Sequence, residues 1–283
     1  MTRRNITLWI SLALIAIGAR QLLASWYRGS DGTPRATTGN QVTMKGRAPV
    51  SHELLKVSLP RPVEADLPNG LHLMVLEDHR VPQVTFQIIV PGAGGYYDPP
   101  DVPGLASVTT SIMREGTTAH TSQQISETLE TMAATVGIGT GLSAVAATTS
   151  GSSLTENVDA AFGLAAEITL SPTFPQEELD RYRTRTKTNL IAQRANPTFL
   201  ASEMFSKVLF GPHPAGRVSL TPEALDKITR DQMVAFHREH FVPDHAIVAF
   251  AGDLTMADAR KLVDARLGAW KKAGTADPTP IAR

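Results

Sequence analysis

The sequence predicts an α+β fold in which an antiparallel sheet is packed with helices. Three observations carry that prediction. Strand-like segments arrive in pairs between groups of helices instead of alternating strictly with them. Pro68-Asn69-Gly70 sits between two strand-like runs, and Asn-Gly is a strong hairpin turn signal. The composition, 42% hydrophobic and 19% charged over 283 residues, is that of an ordinary globular protein.

Taken in order, Val63–Leu67 and Leu71–Leu76 form the opening hairpin, and Val84–Val90, rich in β-branched residues, a further strand. Pro91-Gly92-Ala93-Gly94-Gly95 breaks the chain. A helix is expected over Gly104–Arg114, with Leu105, Val108 and Ile112 at apolar helical spacing. A second helix spans Ser122–Thr135 behind Thr121 as N-cap, and a strand pair containing Gly137, Gly139, Gly141 and Ala144–Ser150 follows. A third helix runs over Leu154–Leu170. Beyond Pro172 and Pro175 come a long helix over Glu177–Arg194 and another from Pro197 to Phe210, stopped by Gly211-Pro212. Helices over 231–240 and 256–269 flank the strand Ala246–Gly252.

The termini read differently. Arg3 and Arg4 precede the apolar run Ile6–Ala19, the layout of an export signal. Continued through Leu22, Leu23 and Trp26, the run makes a membrane anchor over residues 5–26, and no small-x-small cleavage site decides between the two. An exported location, periplasmic or anchored to the membrane facing outside the cytoplasm, is the expectation. The domain layout is therefore 1–27 signal or anchor, 28–58 flexible tether, 59–272 folded domain and 273–283 linker-like tail. Lys+Arg 27 against Asp+Glu 27, with no basic stripe of phosphate-gripping kind, argues against nucleic acid. The absence of cysteine excludes disulfide frameworks and thiolate metal sites.

Five pieces in the right order carry a resemblance: Leu67-Pro68-Asn69-Gly70-Leu71; Gly104-Leu105-Ala106 with Gly116-Thr117; Ser171–Pro175 through Arg181; Leu209–Arg217; and Phe236-His237 through Gly252-Asp253. Together, over residues 59–272, they resemble the pitrilysin/insulinase metallopeptidase family, which includes the mitochondrial processing peptidase. In active members that frame holds H-x-x-E-H on a helix, the inverted zinc motif. Two imidazoles one turn apart clamp zinc, the glutamate between them takes a proton from the bound water, and a later glutamate is the third ligand.

On this frame the histidine positions are Ser107 and Ser111, the general-base position is Thr110, and the third-ligand position is Thr188. Hydroxyls are poor zinc ligands, and a threonine is no base near neutral pH. The resemblance thus implies a zinc-less member with no cofactor of its own, pairing with a zinc-bearing subunit of the same family and helping to hold extended peptides. Two other readings compete. One is an active zinc endopeptidase with a displaced site recruiting His237, His240 or His120. The other is a half-subunit, because family subunits carry a second similar domain and Pro278 and Pro280 look like the start of an interdomain linker.

Several features read as structural. His237 and His240 end a helix, where cationic side chains favour the dipole. Gly92–Gly95 lacks the Gly-Lys-Ser/Thr ending of a phosphate loop. His213 and Arg217 lie in a Pro-rigidified loop as minor substrate contacts, and Arg181, Arg183, Arg185 and Lys187 form a solvated basic face.

Overall fold

A computed structural model describes residues 60–274; the expected signal or anchor segment, the tether and most of the tail lie outside the described residues. Among the described residues are six strands, β1 (Val63–Asp66), β2 (His72–Glu77), β3 (Gln83–Pro91), β4 (Thr135–Gly139), β5 (Ala146–Leu154) and β6 (Ile247–Gly252). Eight helices accompany them: α1 (Leu105–Met113), α2 (Ser122–Thr131), α3 (Val158–Leu170), α4 (Gln176–Arg194), α5 (Pro197–Phe210), α6 (Pro222–Lys227), α7 (Arg230–His240) and α8 (Met256–Leu267).

The strands form one sheet in the order β1-β2-β6-β3-β5-β4. The expected α+β class holds, with one refinement: β2 pairs with β6 in parallel, while every other pairing is antiparallel. The first hairpin closes at Gly70, whose φ of 89° a residue with a side chain rarely adopts.

Along β3 the burial alternates, placing Val84, Phe86, Ile88 and Val90 beneath the helices. There Phe86 meets Phe162 of α3 edge-on at 5.4 Å between ring centres, and Phe162 meets Phe250 of β6 at 5.0 Å. Each such fully buried aromatic stabilises the fold by roughly 2–3 kcal/mol. The opposite face of the sheet is open. Met74, Thr85, Gln87, Ser150 and Ala249 line a shallow groove of about 720 Å³ across it.

Two helix boundaries differ from expectation by four residues. The helix predicted to reach Thr135 stops at Thr131, because Ala133 takes a left-handed φ of 48° and Thr135 already pairs with Ser152 in the sheet. The helix predicted from Leu154 begins only at Val158: β5 runs on to Leu154, opposite Gln83, and a 3₁₀ turn over Thr155–Asn157 intervenes. In both places, ladder hydrogen bonds to a neighbouring strand outweigh local helical preference. Among the described residues, no helix is long and apolar enough to cross a membrane.

Candidate functional site

The frame helix α1 is built as its sequence demands. Leu105, Ala106, Val108, Ile112 and Met113 are buried. The helix lies against α7. Its N-terminus is capped from a distance: Gly104 N–H donates to Asp98 Oδ2 at 2.6 Å, and Ala106 N–H to Oδ1 at 2.7 Å. The carboxylate thus satisfies two of the backbone donors a helix start leaves open. Burial pushes the Asp98 carboxyl upward from its ordinary range, against the pull of these two amides and of Arg217.

The four degenerate positions lie on the expected helices, and the hydroxyls of Thr110, Ser111 and Thr188 are turned to their own backbones. Thr110 Oγ1 donates to the carbonyls of Ala106 at 3.0 Å and Ser107 at 3.1 Å. Ser111 Oγ donates to Ser107 O at 2.8 Å, and Thr188 Oγ1 to Thr184 O at 3.1 Å. Such back-bonding is the usual resting place of a mid-helix hydroxyl. Thr110 is fully buried, Ser107 and Ser111 are half-buried, and Thr188 on α4 is exposed. A zinc site needs imidazole, carboxylate or thiolate donors aimed at a common point. These four residues supply only neutral hydroxyls, three of them spent on helix carbonyls, so they do not fit the metal that the fold family implies.

The histidines named for a displaced site are each engaged by other partners. His237 Nε2 lies 2.9 Å from Thr169 O, which makes it the donor. Its ring stacks on Phe241 at 4.8 Å and meets Phe174 edge-on. Burial holds its pKa below the ordinary imidazole value. His240 stacks on Phe236 at 4.3 Å, and burial lowers its pKa too. His120 Nδ1 lies 2.9 and 3.1 Å from the two oxygens of Glu167, which also accepts from the Thr117 hydroxyl. Among the described residues, no group of three or more His, Asp and Glu is arranged to hold a metal ion.

His213 and Arg217 serve the frame. His213 Nδ1 accepts from Ala215 N–H and its ring meets Tyr96 edge-on, while Arg217 Nη1 donates to Gly95 O at 2.9 Å. The Gly92–Gly95 segment is a close-packed turn: a Cβ on Gly94 would stand 2.0 Å from Ala144 O. The basic face of α4 is solvated at Arg181 and Arg185, as expected, and is largely paired. Arg181 reaches Glu178, Arg183 reaches Asp180 and Ile228 O, and Lys187 reaches Asp226, while Arg185 lies over the Tyr182 ring. Sequence reasoning missed Asp98, Glu167 and Glu203. Asp98 bonds Gly104 and Ala106 across an irregular loop, Glu203 bonds Arg194 and Ser219 from neighbouring segments, and Glu167 bonds His120 from 47 positions away, so no helical or strand period marks any of them.

An α+β domain with this sheet order, and with a helix where the inverted motif would stand, is a peptidase-like domain. The chain belongs to the insulinase family (peptidase family M16), whose model matches residues 73–223; the peptidase M16 inactive domain matches residues 227–283. An uncharacterized zinc protease of Mycobacterium leprae is 24% identical over 207 residues, covering 71% of this chain and 45% of that protein. A non-peptidase homolog, YmxG, of Helicobacter pylori is 25% identical over 186 residues, covering 65% and 42%. The structure of a peptidase M16 inactive domain from Pseudomonas fluorescens superposes with a TM-score of 0.71 at 26% identity, covering 77% of this chain and 52% of that one. A protease from Helicobacter pylori shares the fold at a TM-score of 0.67 and 18% identity, covering 78% of this chain and 54% of that one. The chain spans about half the length of the relatives it matches.

Proposed function

We propose that this chain is a non-catalytic member of the family, which pairs with a zinc-bearing family subunit outside the cytoplasm and helps it hold extended peptides. The observation that carries this reading is the state of α1. The helix is capped, buried and intact, while Ser107, Thr110 and Ser111 present no donor suited to zinc and no base. A helix kept in full working packing after losing its ligands is consistent with a scaffold that still has a binding task.

Peptide capture is assigned to the outer edge of the sheet at β4, beside α1. Among the described residues no strand pairs with that edge. Added Cβ atoms on Gly137 and Gly139 would meet nothing within 4 Å, which leaves room for a second backbone to approach. An extended peptide would add as a strand, held by main-chain hydrogen bonds. The Helicobacter pylori relative named a non-peptidase homolog gives the reading a precedent within the family.

The test is affinity purification of the tagged full chain from its native host, with metal analysis of the purified chain alone. Recovery of a family member carrying H-x-x-E-H, with no stoichiometric zinc in the chain itself, is the expected result. Stoichiometric zinc together with hydrolysis of an unstructured peptide by the chain alone would overturn it.

A further inference from the structure

Helix α5 is inside out. Among its fourteen residues only Glu203 is buried. Meanwhile Met204, Phe205, Val208 and Leu209 stand 63%, 67%, 78% and 59% exposed. Leu200 and Phe210 are exposed as well, and Ile191 of α4 adds a further bare side chain at 72%. A surface helix normally turns its apolar stripe inward and its charges to water. Here Glu203 is drawn inward by Arg194 at 2.8 and 3.1 Å, by the Ser219 hydroxyl at 2.6 Å and by Lys207 at 3.7 Å. That ionic knot fixes α5 to α4 and to the loop before α6. It commits the apolar side to the outside.

We infer that this face is a self-association surface, on which α5 of a second copy of the chain packs across a two-fold axis. Two features argue for a second copy. Large side chains bury about 150–250 Å² each when aromatic and somewhat less when aliphatic, so at these exposures the patch offers roughly 800 Å² per protomer. That is the contribution each partner makes to an interface of standard size, about 1,600 Å² in total, and it exceeds the largest apolar patch of a typical monomer. Met204, Phe205, Val208 and Leu209 recur at the i, i+4 spacing that lets one helix ridge enter the groove of its copy.

The full chain, purified in mild detergent because of its apolar N-terminal run, tests this by light-scattering mass measurement over a concentration series. A concentration-dependent dimer is expected, and V208D and L209D should each weaken it at least about tenfold, as loss of a central anchor does. Both positions are solvent-facing, so unchanged far-UV circular dichroism and melting separate lost association from lost folding. The sequence has no cysteine, so V208C carries a single thiol; its oxidation should give a covalent dimer, and Q123C on α2 should not. A chain monomeric throughout, an association indifferent to V208D and L209D, or a face taken only by a zinc-bearing relative without self-association would each overturn the inference.

Discussion

Asp98 and Arg217 lie on segments 119 positions apart in the chain, yet Asp98 Oδ2 stands 3.9 Å from Arg217 Nη1, and Asp98 holds the start of α1 with both oxygens. One buried carboxylate therefore links the frame helix to the loop that follows α5. Arg217 completes the link by donating to Gly95 O. The isosteric D98N should be nearly as harmful as D98A, because the amide sets a donor against either the Gly104 or the Ala106 N–H. The expected loss is about 1–3 kcal/mol for either variant, read by urea denaturation.

Restoring the motif tests the zinc argument directly. The quadruple variant S107H/T110E/S111H/T188E replaces four hydroxyls with two imidazoles and two carboxylates. Thr110 is fully buried, so a glutamate there is an uncompensated charge without metal, and the metal-free variant should melt several degrees lower than the parent. Added zinc should recover part of that loss and bind in about one-to-one ratio, measured by calorimetry and metal analysis. The parent should show neither response.

The pH dependence of folding follows from His237. Its imidazole is held neutral by burial, so its folded pKa lies below 6.5 while the unfolded chain protonates near that value. The unfolded state then binds more protons, and the stability contributed by this group is present above about pH 6.5 and is lost as pH falls toward the folded pKa. His240 acts in the same direction. His79, bonded to Asp253 at 2.6 Å, acts oppositely: its pKa is raised, so its contribution is present below 6.5 and fades as pH rises. That side chain is exposed, and the pair is screened by water. Melting temperatures measured from pH 7.5 to 5 should therefore fall, and H237Q, although less stable at pH 7.5, should show a shallower fall.

Gly151 answers a packing demand. It pairs with Phe86 across the β3–β5 ladder, and a Cβ there would stand 2.4 Å from Phe86 Cζ and 2.5 Å from Thr135 O. G151A should cost about 1–3 kcal/mol by displacing the central aromatic or the β4 edge. Proteolysis in native buffer should then begin near β4, which mass spectrometry of the first fragments would locate.

Much of the fold was legible because its signals are local. The Pro68-Asn69-Gly70 turn, the cap at Thr121 and the stop at Gly211 each act within a few residues of themselves. The alternating burial of β3 and the apolar spacing of α1 are likewise properties of short windows. Legibility failed where a segment's state depended on a distant strand. Thr135 looks helical by continuation from α2, and only pairing with Ser152 takes it into the sheet. The parallel join of β2 to β6 brings together positions 175 apart, His72 beside Ile247, and no window contains both.

The candidate site divides the same way. Which side chains occupy the ligand positions is a fact of the sequence, and zinc's need for imidazole and carboxylate makes Ser107, Thr110, Ser111 and Thr188 informative by their chemical identity alone. The tertiary structure decided what became of those positions and of the histidines around them. It turned the hydroxyls of Thr110, Ser111 and Thr188 onto helix carbonyls, enclosed His237 between Phe174 and Phe241, and gave His120 to Glu167. It also placed Glu203 inside and Phe205 outside on one helix. The chemistry each residue carries is covalent, so it is settled by the order of amino acids. Burial and hydrogen-bond partners belong to the packed chain, because they depend on which distant residues arrive alongside.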